Sequence, residues 1–331
     1  MIQNSEILVT GGFGFIGAHL AQSLADPDLG NSLTLIDNNV GTATAGHELG
    51  LAERENITVV EGCVVEAEVY DELPRNFDFI VSAAGYLGIN EVAEQQLLTL
   101  ETNIDGTRNS LEFAAEHEEG EKPFVLVFST SEIYGSDAHS PSEDSPAVIP
   151  SSGERWCYAS SKLANEYFLR AFNQSQGVPG AIVRPFNVYG PHRYGSNAMT
   201  KLVRRAVDGD DLNISGDGMQ VRSWCHIDDF CDGAMRILKY SPEGIEAYNI
   251  GDDMNVFTMS GLARAVVLAT GSRSAINILG IQTEDVRHRV PNIDKARTLL
   301  GYRPRTRFED GLDQVIEWVR STGEMELRDA A

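Results

Sequence analysis

The sequence predicts an α/β fold, a doubly wound parallel sheet that carries a smaller C-terminal lobe. Three observations support this. Six short, apolar, β-rich runs recur through the first 186 residues, helical patterns separate them, and the first run ends in a glycine-rich turn that opens a helix. Runs that are apolar at nearly every position read as strands covered on both faces. Strands alternating with helices read as parallel neighbours joined by right-handed crossovers.

In order, the strands are "EILVT" (6–10), "SLTLID" (32–37), "ITVVEG" (57–62), "FDFIVSAA" (77–84), "FVLVFS" (124–129) and "GAIVRPF" (180–186). Long helical patterns cover 91–117 and 156–175. Past residue 186 the elements shorten: a loop "NVYGPHRYGSN", a helix over 197–208, the segment "LNISGDGMQVRSW", a helix over 228–240 and the strand "AYNIG". The division expected is a sheet domain of 1–186 with about 226–251, and a smaller lobe of 187–225 and 252–331 lying over the carboxyl ends of the strands. No internal repeat is visible, and the last ten residues are expected to fray.

Composition excludes several functions. With 331 residues and 42% hydrophobic content the chain can bury a substantial core. A formal charge of −23 argues against a nucleic-acid partner, which needs a basic face. The start lacks a basic segment followed by an apolar one, and no run approaches the ~18 apolar residues of a membrane span. A cytoplasmic protein without a membrane partner is expected. Cys63, Cys157, Cys225 and Cys231 form no C-x-x-C pair, and the seven histidines show no metal spacing, so reduced thiols and no metal site are expected. One stretch departs from the acidic average: from Arg287 to Arg307 there are seven Lys or Arg residues and one acid, Asp294. An anionic ligand would be favoured there.

The first turn reads "TGGFGFIGAHL". Gly11 permits the tight turn, Gly14 lets backbone N–H groups approach a pyrophosphate, and Gly17 lets helix and strand pack closely. The helix start at Phe15 and Ile16 adds partial positive charge. Asp37 ends the second strand twenty residues after Gly17. A carboxylate there accepts ribose hydroxyls and repels a 2′-phosphate, so NAD is preferred over NADP. Ala83 and Ala84, at the end of the fourth strand, join the expected cofactor contacts of a Rossmann-type domain.

The fifth strand runs into "STSEIYG", delivering Ser129, Thr130, Ser131 and Glu132 to its carboxyl end. Downstream, "WCYASSK" places Tyr158 and Lys162 four apart on one helix face. A phenol beside an ammonium is a general acid/base pair for moving a hydroxyl proton as hydride leaves the carbon. Lowering a tyrosine from about 10 to near 7 requires about 4 kcal/mol. An exposed ion pair supplies about 1 kcal/mol or less. Lys162 is therefore expected in a partly buried site, assisted by the nicotinamide cation.

These motifs, with "LETNIDGT", "RPFNVYGP", "GDGMQVRSWCHIDD" and "AYNIG" in order, resemble the extended short-chain dehydrogenase/reductases of the nucleotide-sugar epimerase, dehydratase and decarboxylase group. The resemblance implies a nucleotide-sugar substrate, UDP-linked by preference, and retained NAD. It implies that Thr130 and Tyr158 meet the sugar C4 hydroxyl, that Asn103 supports the site, and that Asn187 and Arg222 meet the substrate diphosphate. It also implies a homodimer formed through the helices at 91–117 and 156–175. The chain departs from the group where Gly-Asp-aliphatic often follows the third strand; here Gly62-Cys63-Val64 stands.

Within the group, 4,6-dehydratases typically carry Thr-Asp-Glu, simple 4-epimerases place small or non-acidic residues at the Glu132 position, and uronate decarboxylases show Thr-Ser-Glu. Decarboxylases also carry an arginine in a segment like "DVRHRVPNI", which makes Arg289 its match. The resemblance thus implies oxidation at C4, loss of CO2 and re-reduction, converting UDP-glucuronate to UDP-xylose. Arg289 and Ser131 would hold the carboxylate, and Glu132 would move protons near C5 or orient the ring. Competing readings make Glu132 a structural acid, Arg289 a surface charge and Ser131 merely small. UDP-sugar 4-epimerisation is then the alternative, with a 4,6-dehydratase or a non-catalytic NAD sensor behind it. For Thr130, Ser131 and Glu132 to share one face, the backbone must leave the extended conformation there.

Overall fold

The computed structural model describes residues 2–39, 44–118, 121–195, 197–280 and 286–322. The expected fraying concerns, for 323–331, residues outside those described. The chain opens with β1 (Glu6–Thr10), α1 (Phe15–Leu24), β2 (Ser32–Asp37), the short α2 (Ala45–Glu48), β3 (Ile57–Glu61) and β4 (Phe79–Ser82). Helices α3 (Ile89–Glu94) and α4 (Gln96–Ala115) lead to β5 (Phe124–Phe128). A 3₁₀ turn over Ser131–Tyr134 follows, then β6 (Asp137–His139), α5 (Trp156–Gln176), β7 (Gly180–Pro185) and β8 (Val188–Tyr189). Next come α6 (Ala198–Asp208), β9 (Leu212–Ile214), β10 (Val221–Ser223), β11 (Cys225–His226), α7 (Ile227–Tyr240) and β12 (Glu246–Ile250). The remaining described elements are β13 (Val256–Thr258), α8 (Met259–Thr270), β14 (Ile276–Ile278), β15 (His288–Val290), α9 (Asp294–Leu299) and α10 (Phe308–Ser321).

Seven strands form one parallel sheet in the order β3-β2-β1-β4-β5-β7-β12. All six expected sheet strands are in it, and β12 adds the edge. Their apolar runs are explained by burial on both faces: Ile7, Val9, Leu35 and Val81 pack toward α1 and α7, while Leu8, Ile36, Ile80 and Val125 pack on the opposite side. Strand order reverses at β1, whose neighbours β2 and β4 connect outward in opposite directions. Such a reversal opens a crevice above the carboxyl ends of the strands.

Two expected boundaries shift. The helix over 91–117 is divided at Gln95 (φ −126°, ψ 53°), so that α3 closes before α4 begins. The fourth strand stops at Ser82, because the Ala83 N–H turns back to the Val81 carbonyl (3.1 Å) instead of pairing with a neighbour.

A second core of Leu202, Val203, Trp224, Leu262, Val315 and Trp318 lies under α6, α8 and α10. Beside it runs a four-stranded sheet, β13-β10-β15-β6. Its edge strand β6 comes from the segment just after the 3₁₀ turn, and β15 pairs with it in parallel, Arg289 opposite Ala138. The turn at the end of β5 therefore dictates where β15 lies. No helix among the described residues is long and apolar enough to cross a membrane.

Beneath that turn lies a closed polar network. Glu166 on α5 and Arg184 on β7 are 3% and 6% exposed and form a bidentate pair at 2.7 and 2.8 Å. Ser129 donates to Glu166 (2.5 Å), Arg184 to the Tyr134 hydroxyl (2.6 Å), and Tyr134 to Asn249 Oδ1 (2.8 Å). Asn249 in turn binds the carbonyls of Pro141 and Asn292. Removing one member strands a buried charge, which typically costs ~3–5 kcal/mol. Glu166→Gln is thus expected to lower unfolding free energy by about that amount in urea titrations. Glu116→Ala, at the exposed Arg75 pair, is expected to cost about 1 kcal/mol or less. Equal effects from the two variants would refute the assignment of Glu166 as an anchor.

Candidate active site

The glycine-rich turn meets the steric conditions for a dinucleotide. Gly11 has φ 70°, and a Cβ there would lie 2.7 Å from the Ala84 Cα; a Cβ on Gly17 would lie 2.0 Å from the Gly11 carbonyl oxygen. Ala83 and Ala84 thus pack on the turn, and Ala84 N–H donates to Thr10 Oγ1 (3.3 Å). Gly14 caps α1, and no acid occupies the first turn from Phe15 and Ile16 to offset its positive end. Asp37 is buried, accepting Phe13 N–H on one oxygen and Asn39 N–H on the other, both at 2.9 Å. Each carboxylate oxygen retains a lone pair for a ribose hydroxyl. The residues present fit a dinucleotide.

Tyr158 and Lys162 project from the first turns of α5 toward the ends of β4 and β5. Lys162 is 4% exposed, and its Nζ would stand 3.0 Å from a Cβ on Gly85, just past β4. Asn103 clamps the same segment, accepting Tyr86 N–H (2.8 Å) and donating to the Tyr86 carbonyl (3.2 Å) and Ser161 Oγ (3.1 Å). The Tyr158 phenol is hydrogen-bonded to Thr130. Burial, with Glu132 nearby, pushes its pKa up to about 12, and burial pulls Lys162 down to about 8. Desolvation thus disfavours the charged form of both groups.

The backbone turns where the three polar residues require it. Thr130 is still extended (φ −156°, ψ 151°), and its Oγ1 caps the 3₁₀ turn by accepting Glu132 N–H (3.2 Å). Thr130 and Ser131 are both buried. Glu132 is 20% exposed at its side chain and accepts from Arg289 (3.2 Å) and Arg155 (3.4 Å) on the same oxygen. Burial alone would raise its pKa; Arg289 and then Arg155 outweigh it and hold the carboxyl below its usual range. Arg289 itself is 4% exposed and also donates to the Gly135 carbonyl (3.4 Å), so it is no surface charge.

Arg222 is Arg289's register partner across β10 and β15 and is largely buried. Asn187, just before β8, has φ 37°, a left-handed conformation that asparagine tolerates, and its side-chain nitrogen is buried with no hydrogen-bond partner among the described residues. Arg155, Glu166 and Arg184 escaped the sequence reading. Two of them carried a signal: Arg155, at the cap of α5, lies three before Tyr158, and Glu166 lies four after Lys162 on the same face of the helix. His226 of "HIDD" caps α7, accepting Asp228 N–H (3.3 Å).

The chain is similar to known proteins over nearly its whole length. The chain is 31% identical over 323 residues to UDP-N-acetyl-alpha-D-glucosaminuronate decarboxylase of Bacillus cytotoxicus, covering 95% of this chain and 97% of that protein. It is 30% identical to UDP-glucuronic acid decarboxylase 1 of Xenopus tropicalis, covering 95% of this chain and 72% of the other. Among solved structures, UDP-glucuronic acid 4-epimerase from Bacillus cereus, in complex with UDP-glucuronic acid and NAD, superposes with a TM-score of 0.85 at 25% identity, covering 96% of this chain and 99% of that one. Residues 7–251 match the NAD dependent epimerase/dehydratase family, and with its glycine-rich turn, buried Asp37 and Thr130–Tyr158–Lys162 cluster the chain is an NAD-dependent member of that family.

Proposed function

We propose that this protein decarboxylates UDP-glucuronate to UDP-xylose through a 4-keto intermediate. The observation carrying this reading is the ion pair between buried Arg289 and part-buried Glu132 at the end of β5, next to the Tyr158 phenol. Asp37, the glycine-rich turn, Ala83, Ala84 and Asn103 would hold NAD, which supplies the hydride acceptor and donor for sugar C4. Tyr158 takes the C4 hydroxyl proton, and Lys162 at its side favours the phenolate. The 4-keto uronate is a β-keto acid. Its C5–carboxylate bond breaks, the electron pair moves to the C4 oxygen as an enolate, and CO2 leaves. Protonated Tyr158 and Thr130 donate to that oxygen, each such donor being worth about 3 kcal/mol in comparable oxyanion sites. A proton from solvent at C5 would restore the 4-ketone, which the hydride that NAD supplies when bound would reduce, with Tyr158 returning its proton to the C4 oxygen.

Two arginines hold Glu132 as an anion, which makes it a poor proton donor and a good positioning group for Arg289. Arg289, so held, receives the substrate carboxylate, while Asn187 and Arg222 serve the diphosphate. A second reading, 4-epimerisation, is supported by the likeness to the Bacillus cereus epimerase. The 4-ketone is common to both.

Purified protein with NAD and UDP-glucuronate, or UDP-N-acetylglucosaminuronate, is expected to yield a product lighter by CO2. An isomer of unchanged mass would instead establish the epimerase. Tyr158→Phe is expected to lower turnover about 10²- to 10⁴-fold, and unchanged turnover would exclude its role. Glu132→Gln removes an anion that raises Tyr158, so the phenol should titrate at lower pH in ultraviolet difference spectra; a rise or no change would contradict this electrostatic account.

We propose further that the chain forms a homodimer through α4 and α5, which pack together and leave Leu97 (68%) and Tyr167 (67%) exposed. The double variant Leu97→Glu, Tyr167→Glu is expected to elute as a monomer in light-scattering chromatography. Dimers persisting in the variant, or monomers in the parent, would exclude this interface.

A further inference from the structure

Arg193 lies in the segment after β8, where the chain crosses above the start of α1. Gly190 marks the crossing: a Cβ there would stand 2.5 Å from Ile227 Cγ2 and 3.6 Å from Phe15 Cζ. The Arg193 guanidinium then lies 5.1 Å from the centroid of the Phe15 ring, and Phe15 is the first residue of α1. One of its nitrogens donates to the Val188 carbonyl. Its positive charge favours the Tyr158 phenolate. No carboxylate among the described residues pairs with it, and burial lowers its pKa to about 10. A partly buried guanidinium without an acid partner is a receptor for an anion.

Both neighbours of Arg193 are fastened to one carboxylate. Glu48, the last residue of α2, accepts His192 Nδ1 and the Tyr194 hydroxyl, and also Trp318 Nε1 from α10 at 2.8 Å. Three donors hold the Glu48 carboxyl below its usual range even though burial opposes this. Arg193 is thereby suspended between two fixed points, over the positive end of α1 on one side and toward Tyr158 on the other.

We propose that Arg193 binds the diphosphate of a ligand lodged between α1 and Tyr158, and that Glu48 is its positioning residue. Both the dinucleotide and the nucleotide sugar of this family carry such a diphosphate. The inference rests on that ligand class and not on decarboxylation, and binding rather than turnover tests it. The full chain, stripped of bound nucleotide, is titrated calorimetrically with NAD and ADP-ribose, and the NAD-loaded chain with UDP. Arg193→Met is expected to weaken one series about 10- to 100-fold, the scale of a lost charge-assisted bond, and to leave the other within about twofold. Loss with NAD and ADP-ribose assigns the cofactor diphosphate; loss with UDP assigns the substrate's. Arg193→Lys, which keeps the charge, should lose less, and Glu48→Gln should weaken the same series as Arg193→Met. Affinities unchanged in both series, or equal losses in both, would overturn the proposal.

Discussion

The buried Glu166–Arg184 ion pair is the constraint from which the rest of the site follows. A carboxylate and a guanidinium removed from water are tolerated only when their remaining valences are met. Here Ser129, Tyr134 and, through Tyr134, Asn249 meet them. These partners come from α5, β7, the end of β5, the turn after it and β12. One network therefore sets the distance between five elements, and the end of β5 has little freedom to be elsewhere.

Helix α5 converts that constraint into chemistry. Tyr158, Lys162 and Glu166 recur at four-residue spacing, so the face that anchors the helix through Glu166 also presents the ammonium and the phenol one and two turns earlier. Ser129 ties the same Glu166 to the strand that delivers Thr130. The hydroxyls at the end of β5 thus divide their work: Ser129 belongs to the anchor, and Thr130 to Tyr158. The 3₁₀ turn that follows brings Glu132 round, and β6, next in the chain, seats β15 so that Arg289 reaches it.

Burial and neighbouring charges set the electrostatics of the cluster. Tyr158 is raised and Lys162 lowered, so each leans toward its neutral form, while Glu132, held by two arginines, leans toward its anion. A positively charged cofactor ring beside Tyr158 would favour its phenolate.

Local sequence determined much of this protein. Periodicity alone disclosed the strands, since burial on both faces demands unbroken apolar runs. Glycines at positions that admit no Cβ disclosed the dinucleotide turn, and four-residue spacing disclosed the Tyr158–Lys162 pair. Gln95 breaking the long helix left no such mark, nor did the early end of β4. Contacts distant in the chain were decided only by tertiary structure: Arg289 to Glu132 across 157 residues, Arg155 as a second cation on the same oxygen, and Glu48 to Trp318 across 270. A charged residue's sequence neighbours do not reveal its partner, because that partner is chosen by which strands and loops the folded sheet brings within hydrogen-bond reach.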